Sequence, residues 1–152
     1  MSPLAIACIF LSLFYIQYYY NLSPKWLNEL QDINAYKQIT GFILAIYILN
    51  QWQIAFTRNN GQKPSAGQRY THRYSGSFVP IVYYFHSVDI GFAYQAILSM
   101  SLLLNCVIGG CNPTDLKIRY VGYYRCWLTL HISLAVIIVP VSLYHLYIVY
   151  AY

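Results

Sequence analysis

The residues of this chain best suited to chemistry are its four histidines, which form two pairs with the same spacing. His86 is fourteen positions after His72, and His145 is fourteen positions after His131. In an α-helix this spacing is about 21 Å and just under four turns, so both members of a pair face the same way. Two neutral imidazoles fill both axial positions of a haem iron, which suits electron transfer rather than oxygen chemistry. If each pair lies on its own helix and the helices face each other, the spacing predicts two haem sites.

The composition is that of a membrane protein. Of the 152 residues, 59% are hydrophobic and 9% are charged, whereas soluble domains have about 25% charged residues. The net charge of +5 lies mostly in two loops. A nucleic-acid partner is not expected, because such binding requires a basic face rather than short basic loops between apolar segments.

Apolar segments predict transmembrane helices at about residues 4–20, 39–56 and 124–150. Residues 68–108 are too long for one span, since a helix of that length is about 60 Å, twice the thickness of a hydrocarbon core. The segment at residues 87–91 is the only plausible turn within it. A break there gives spans at 68–86 and 92–108, and thus five spans in a single transmembrane domain over residues 1–152.

The distribution of positive charge favours five spans over four. With five spans the two basic loops, residues 57–73 and 109–125, lie on the same side as the N-terminus, as the positive-inside rule requires. Four spans would place those loops on opposite sides. The basic residues concerned are Arg58, Lys63, Arg69, Arg73, Lys117, Arg119 and Arg125. The sequence predicts an all-α integral membrane bundle of five transmembrane helices, with four as the alternative, the N-terminus inside and the C-terminus outside.

The number of spans decides the number of haems. In the five-span arrangement the third and fifth helices run parallel, so His72 lies level with His131 and His86 with His145, and two b-type haems fit. In the four-span arrangement these helices run antiparallel, and only His86 and His145 come level. That arrangement holds at most one haem. A histidine in a membrane helix can also be a satisfied polar residue with no ligand.

Residues around His72 suit a haem as well. Gly76 follows one helical turn later, where a flat macrocycle needs a small side chain. Arg69 and Arg73 flank His72 on the basic side and can pair with haem propionates. The structural alternative for both arginines is that they anchor the helix end at the inner membrane surface.

The four cysteines form no C-x-x-C pair and no zinc spacing with the histidines. Cys8 and Cys126 are expected to be buried, apolar-like side chains within helices. Cys106 and Cys111 lie close together in sequence, but their predicted position on the inner side argues against a disulfide.

The paired histidines at His72, His86, His131 and His145 resemble those of the di-haem membrane cytochromes b, the group that contains cytochrome b561 and ferric-reductase-like electron carriers. The first two spans carry no motif of that group. The resemblance implies transmembrane electron transfer between haems in an energy-transducing membrane, either the bacterial or the mitochondrial inner membrane. No nucleotide-binding glycine motif is present. We therefore expect an electron-transfer subunit of a respiratory or photosynthetic oxidoreductase complex, with other membrane and redox subunits as partners, rather than a free-standing enzyme.

A second resemblance points elsewhere. The segment from Thr71 to Gly76 is similar to the H-R-x-S-G segment that opens the cytochrome b membrane-anchor subunit of succinate dehydrogenase. This resemblance implies a quinone pocket beside Arg73 and Ser75 and a soluble dehydrogenase partner. The later H-x-x-x-G-x-R-H haem segment of that family is absent from this chain. A structural accessory subunit without any cofactor is the third alternative.

Overall fold

The computed structural model describes residues 1–151, and every regular element among them is a helix. This confirms the all-α prediction. The helices are α1 (Pro3–Tyr20), α2 (Lys25–Asp32), α3 (Asn34–Gln51), α4 (Gln53–Asn59), α5 (Ala66–Ser77), α6 (Val79–His86), α7 (Tyr94–Gly110) and α8 (Val121–Ala151). The chain divides into two compact units. The N-terminal unit comprises Met1 and Pro3–Asp89, and the C-terminal unit comprises Ser2 and the residues from Ile90 on.

Three helical segments are long and apolar enough to cross a membrane. They are Pro3–Tyr20, Asn34–Asn59 (α3 followed directly by α4) and Val121–Ala151, with 18, 26 and 31 residues. They correspond to three of the predicted spans. At most 17% of the most apolar window of each segment is buried within the protein, which leaves an extensive apolar surface of the kind that lipid or another protein covers. These features are consistent with a membrane protein.

The two remaining predicted spans have a different appearance. Helices α5 and α6 follow each other from Ala66 to His86 with a turn at Phe78, and Pro80 lies in the first turn of α6. Helix α7 is apolar but has only 17 residues. The predicted interruption at residues 87–91 falls in the observed gap between α6 and α7, where Gly91 and Ala93 have positive φ angles of 80° and 53°. The count of five spans stays a prediction.

The N-terminal unit packs its helices in alternating directions. Helix α1 runs parallel to α5 and α6, because its start meets Tyr74 and its middle meets Tyr83. The Tyr74 hydroxyl donates to the Met1 carbonyl, and the rings of Phe14 and Tyr83 pack edge to face with centroids 5.5 Å apart. Helix α3 runs antiparallel to α5 and α6, since its C-terminal end meets α5 and its N-terminal end meets the end of α6. This matches the alternation predicted for the first three spans.

The C-terminal unit is an antiparallel hairpin of α7 and α8. Near the connecting loop, the Tyr123 hydroxyl donates to the Cys111 carbonyl at 2.9 Å. At the far end, the rings of Tyr94 and Tyr144 pack edge to face with centroids 4.9 Å apart. Helix α8 continues through Pro140 without ending.

The structure tests the predictions made for the cysteines only in part. Cys106 lies in α7 and Cys111 directly after it, and both are half-buried. The prediction that Cys8 and Cys126 are buried is wrong, because both are exposed on their helices. A thiol is apolar enough to face lipid as readily as a protein core, so its presence in an apolar helix does not indicate which of the two it faces.

Candidate functional site

Each histidine pair lies against one neighbouring helix of its own unit. His72 and His86 both contact α3, although a turn separates α5 from α6 between them. His131 and His145 both contact α7. The members of each pair therefore contact the same neighbouring helix, and in the first pair they do so from two successive helices.

The His72 imidazole is held by the end of α3. Its Nδ1 atom lies 3.0 Å from the backbone carbonyl oxygen of Gln51. A carbonyl oxygen only accepts hydrogen bonds, so Nδ1 carries the proton and donates it. The lone pair of the neutral ring is then on Nε2.

The His86 imidazole is held in the same way near the start of α3. Its Nδ1 atom lies 3.1 Å from the Thr40 Oγ1 atom. The Thr40 hydroxyl has a single proton, which it donates to the Tyr36 carbonyl at 2.8 Å. Its oxygen therefore accepts from His86, and the lone pair of this ring is also on Nε2.

The backbone around His86 is fixed by side chains from α2 and α3. The buried Gln31 side chain donates to the carbonyls of Tyr84 and Phe85 at 2.9 and 3.2 Å, and accepts from the Val88 amide at 3.1 Å. The Tyr36 hydroxyl donates to the Phe85 carbonyl at 2.9 Å. The carbonyls at a helix C-terminus have no partner within the helix, so these contacts hold the end of α6.

A glycine on the facing helix lets the His86 ring come close. A Cβ atom added at Gly41 would lie 3.1 Å from the Cε1 atom of His86. In the C-terminal unit, a Cβ atom at Gly109 would lie 3.0 Å from the Cε1 atom of His131. The contacts of these two glycines with histidine rings were not predicted from the sequence. Small residues in apolar helices commonly mark close helix contacts, and the Gly109–Gly110 pair was the available signal.

Aromatic rings position the histidines of the C-terminal unit. The Trp127 ring stacks on His131 with centroids 5.9 Å apart and an interplanar angle of 7°. Its indole nitrogen donates to the Ile108 carbonyl at 2.6 Å, which ties this ring to α7. The Tyr94 ring packs against His145 with centroids 6.0 Å apart.

The other predicted site residues all lie in α5, and two of them contact the end of α3. A Cβ atom at Gly76 would meet the Gln51 amide oxygen at 3.3 Å. Ser75, the candidate quinone residue, accepts from the Gln51 side chain at 2.7 Å and donates to a backbone carbonyl of its own helix. Arg69 is exposed and donates to the Pro64 carbonyl, and Arg73 is half-buried.

Within residues 1–151, no three His, Cys, Asp or Glu side chains come together as a metal-holding group. A bis-imidazole haem requires only two such ligands. Each predicted haem takes one histidine from each unit, so the pairings His72 with His131 and His86 with His145 stay predictions. No protein-family model, curated protein or solved structure matches the chain.

Proposed function

We propose that this chain transfers electrons across a membrane through two b-type haems, one held by His72 and His131, the other by His86 and His145. The observation that carries the proposal is the state of the two imidazoles in the N-terminal unit. Both donate through Nδ1 to oxygen atoms of α3, which leaves the lone pair on Nε2. Histidines that bind metals are typically held in this way, with the second nitrogen bonded to a carbonyl or similar acceptor.

The donor chemistry of the histidines suits a haem. Imidazole nitrogen is a strong axial donor, and a bis-imidazole haem iron accepts and releases one electron without an open position. In this proposal each histidine supplies Nε2 as a ligand, while α3 and α7 fix the direction of the rings. Arg69 and Arg73 flank His72 on α5 and would pair with propionates there.

The proposal includes five spans with the N-terminus inside. The α5 and α6 segment, taken together across its turn at Phe78, and the 17 residues of α7 both fall within the range of about 17–25 residues that a transmembrane helix needs. Five spans make the helices with the histidine pairs parallel, which is the condition for two haems. In this proposal the electrons come from a quinol or a redox subunit, and the chain belongs to a respiratory or photosynthetic complex of an inner membrane.

The first test is a dithionite-reduced minus oxidised absorption spectrum of the purified protein, with haem counted as the pyridine haemochrome. We expect two b haems per chain. His86→Ala and His145→Ala should each remove one haem, and so should the double variant, because the two residues serve the same iron. His72→Ala, His131→Ala and their double variant should each remove the other haem.

The matched pairs make the result decisive. If His86→Ala and His145→Ala each removed a different haem, so that the double variant lost both, the pairing would be wrong. One haem per chain would favour the four-span arrangement or the quinone-binding anchor. A purified, folded protein without haem would contradict the electron-transfer proposal and favour a structural membrane subunit.

A further inference from the structure

We propose that Thr40 is a positioning residue for His86, and that its hydroxyl group sets the direction of the imidazole and the reduction potential of the haem that His86 holds. The inference rests on the proposed function. It goes further by assigning a role to a residue outside the histidine pairs, on a helix that carries no predicted ligand.

The Thr40 hydroxyl forms hydrogen bonds both within α3 and to His86. Thr40 donates its only proton to the Tyr36 carbonyl, one turn earlier in α3, at 2.8 Å. The same oxygen accepts from His86 Nδ1 at 3.1 Å. The Lys37 carbonyl also lies near the hydroxyl, at 3.3 Å, on the same helix. With the proton directed at these carbonyls, the lone pairs are left toward His86, so Thr40 acts as an acceptor for the imidazole.

Helix α3 holds both the side chain and the backbone at this point. The Tyr36 hydroxyl donates to the Phe85 carbonyl at 2.9 Å, directly before His86. The ring of His86 lies close over Gly41, the residue next to Thr40. With the backbone fixed and the ring against a glycine, the bond to Thr40 adds a further restraint on the rotation of the imidazole about its own side-chain bonds.

The bond to Thr40 has an electronic consequence. An acceptor at Nδ1 draws its proton outward and makes Nε2 a stronger donor to a bound metal. Stronger donation stabilises the ferric iron more than the ferrous iron and lowers the reduction potential. Removal of the acceptor should therefore raise the potential of this haem and leave that of the other haem unchanged.

The chain offers a closely matched control for Thr40. Thr57 in α4 donates to the Gln53 carbonyl, also one turn earlier, at 2.9 Å, and accepts from the Gln68 side chain at 3.1 Å. Both threonines donate to the carbonyl one turn earlier and accept from a side chain, but only the acceptor role of Thr40 serves a histidine. Thr57→Val removes a similar hydroxyl without affecting an imidazole.

The experiment is a redox titration of the full-length purified protein, followed by the absorbance of each haem. In Thr40→Val we expect one midpoint potential to rise by up to about 59 mV, which is a tenfold change in the ratio of the two oxidation states for one electron. Thr40→Ser keeps the hydroxyl and should restore the wild-type potential. Thr57→Val should leave both potentials unchanged.

The outcomes separate this inference from the proposed function. Two haems with unchanged potentials in Thr40→Val would overturn the role of Thr40 and leave the electron-transfer proposal intact. Loss of one haem in Thr40→Val, with both retained in Thr40→Ser and Thr57→Val, would support the positioning role. Equal haem loss in Thr40→Val and Thr57→Val would indicate a general folding defect and overturn it. Wild-type protein without haem would instead remove the proposed function.

Discussion

The two units carry the same histidine spacing but support it with different chemistry. In the N-terminal unit, oxygen atoms of α3 accept from Nδ1 of both His72 and His86. In the C-terminal unit, aromatic rings pack on the imidazoles, with Trp127 on His131 and Tyr94 on His145. A hydrogen bond to Nδ1 fixes which nitrogen carries the proton, whereas a stacked ring fixes the plane of the imidazole. The same spacing therefore has a polar support in one unit and an aromatic support in the other.

The units also differ in how their helices are built. The N-terminal unit consists of six helices joined by many polar contacts, among them the side chains of Gln31 and Gln51. The C-terminal unit consists of two helices, one of them with 31 residues. Polar contacts between helices at membrane depth contribute about 0.6 kcal/mol each on average. Many of them are needed to hold short helices, whereas one long hairpin depends more on close packing.

Both units have a glycine that lies against a histidine ring, and a substitution of this glycine should have the largest effect on haem content and stability. Gly109→Leu places a side chain where the His131 ring now lies, since even a Cβ atom would come within 3.0 Å of it. We expect the ring to be displaced, the proposed haem of His131 to be lost, and stability to fall by about 1–3 kcal/mol, as is typical of overpacking. Haem content and thermal unfolding in detergent measure the two effects.

Two variants show whether this effect belongs to the histidine contact. Gly41→Leu should act in the same way on His86, whose Cε1 atom is 3.1 Å from the added Cβ position. Gly67→Leu is the control, because its Cβ atom would meet only the Ser65 hydroxyl at an ordinary 3.8 Å. Full haem content in Gly109→Leu would contradict the close contact of this ring with α7.

The sequence predicted the parts of this fold that follow from hydrophobicity and period. Long apolar runs identified α1, α3 and α8, and the turn residues after His86 located the end of α6. The period of the α-helix placed both histidines of each pair on one side. These features depend on residues near each other in the chain, so no knowledge of tertiary packing was required.

The support of the histidines could not be predicted, because it depends on contacts between distant segments. Gln31 is 53 residues from the Tyr84 carbonyl that it binds, and no local pattern links the two. Gly76 was assigned to a haem face because it lies one turn after His72, but it faces the Gln51 side chain. Spacing along one helix identifies residues on one side and does not identify the neighbour on that side.

The polar support of the N-terminal unit can be weakened at Gln31. Gln31→Met keeps the length of this buried side chain but removes its three hydrogen bonds to residues 84–88. Each buried backbone group left without a partner costs about 1–3 kcal/mol, and relaxation recovers part of this cost. We expect a loss of about 2 kcal/mol, measured by thermal unfolding in detergent. Amide hydrogen exchange should become faster at residues 84–88.

The location of the exchange effect tests the difference between the units. Faster exchange should be confined to the N-terminal unit, with α7 and α8 unchanged. Gln38→Met is the matched control, because Gln38 is exposed on α3, and it should leave both measurements at wild-type values. Faster exchange in α8 after Gln31→Met would show that the two supports are not independent.

The smallest loss of stability is expected for a substitution in the C-terminal unit that keeps an aromatic ring at position 127. Trp127→Phe retains an aromatic ring to pack on His131 but removes the indole donor to the Ile108 carbonyl. That carbonyl lies in the last turn of α7 and also accepts from the Cys111 amide at 3.1 Å, so it keeps one partner when the indole is removed. We expect a loss of about 1 kcal/mol in thermal unfolding, with haem content retained, and a much larger loss in Trp127→Ala, which removes the ring as well. Equal effects of the two substitutions would mean that the hydrogen bond to α7, rather than the ring, holds His131. The C-terminal unit would then depend on the same kind of polar contact as the N-terminal unit.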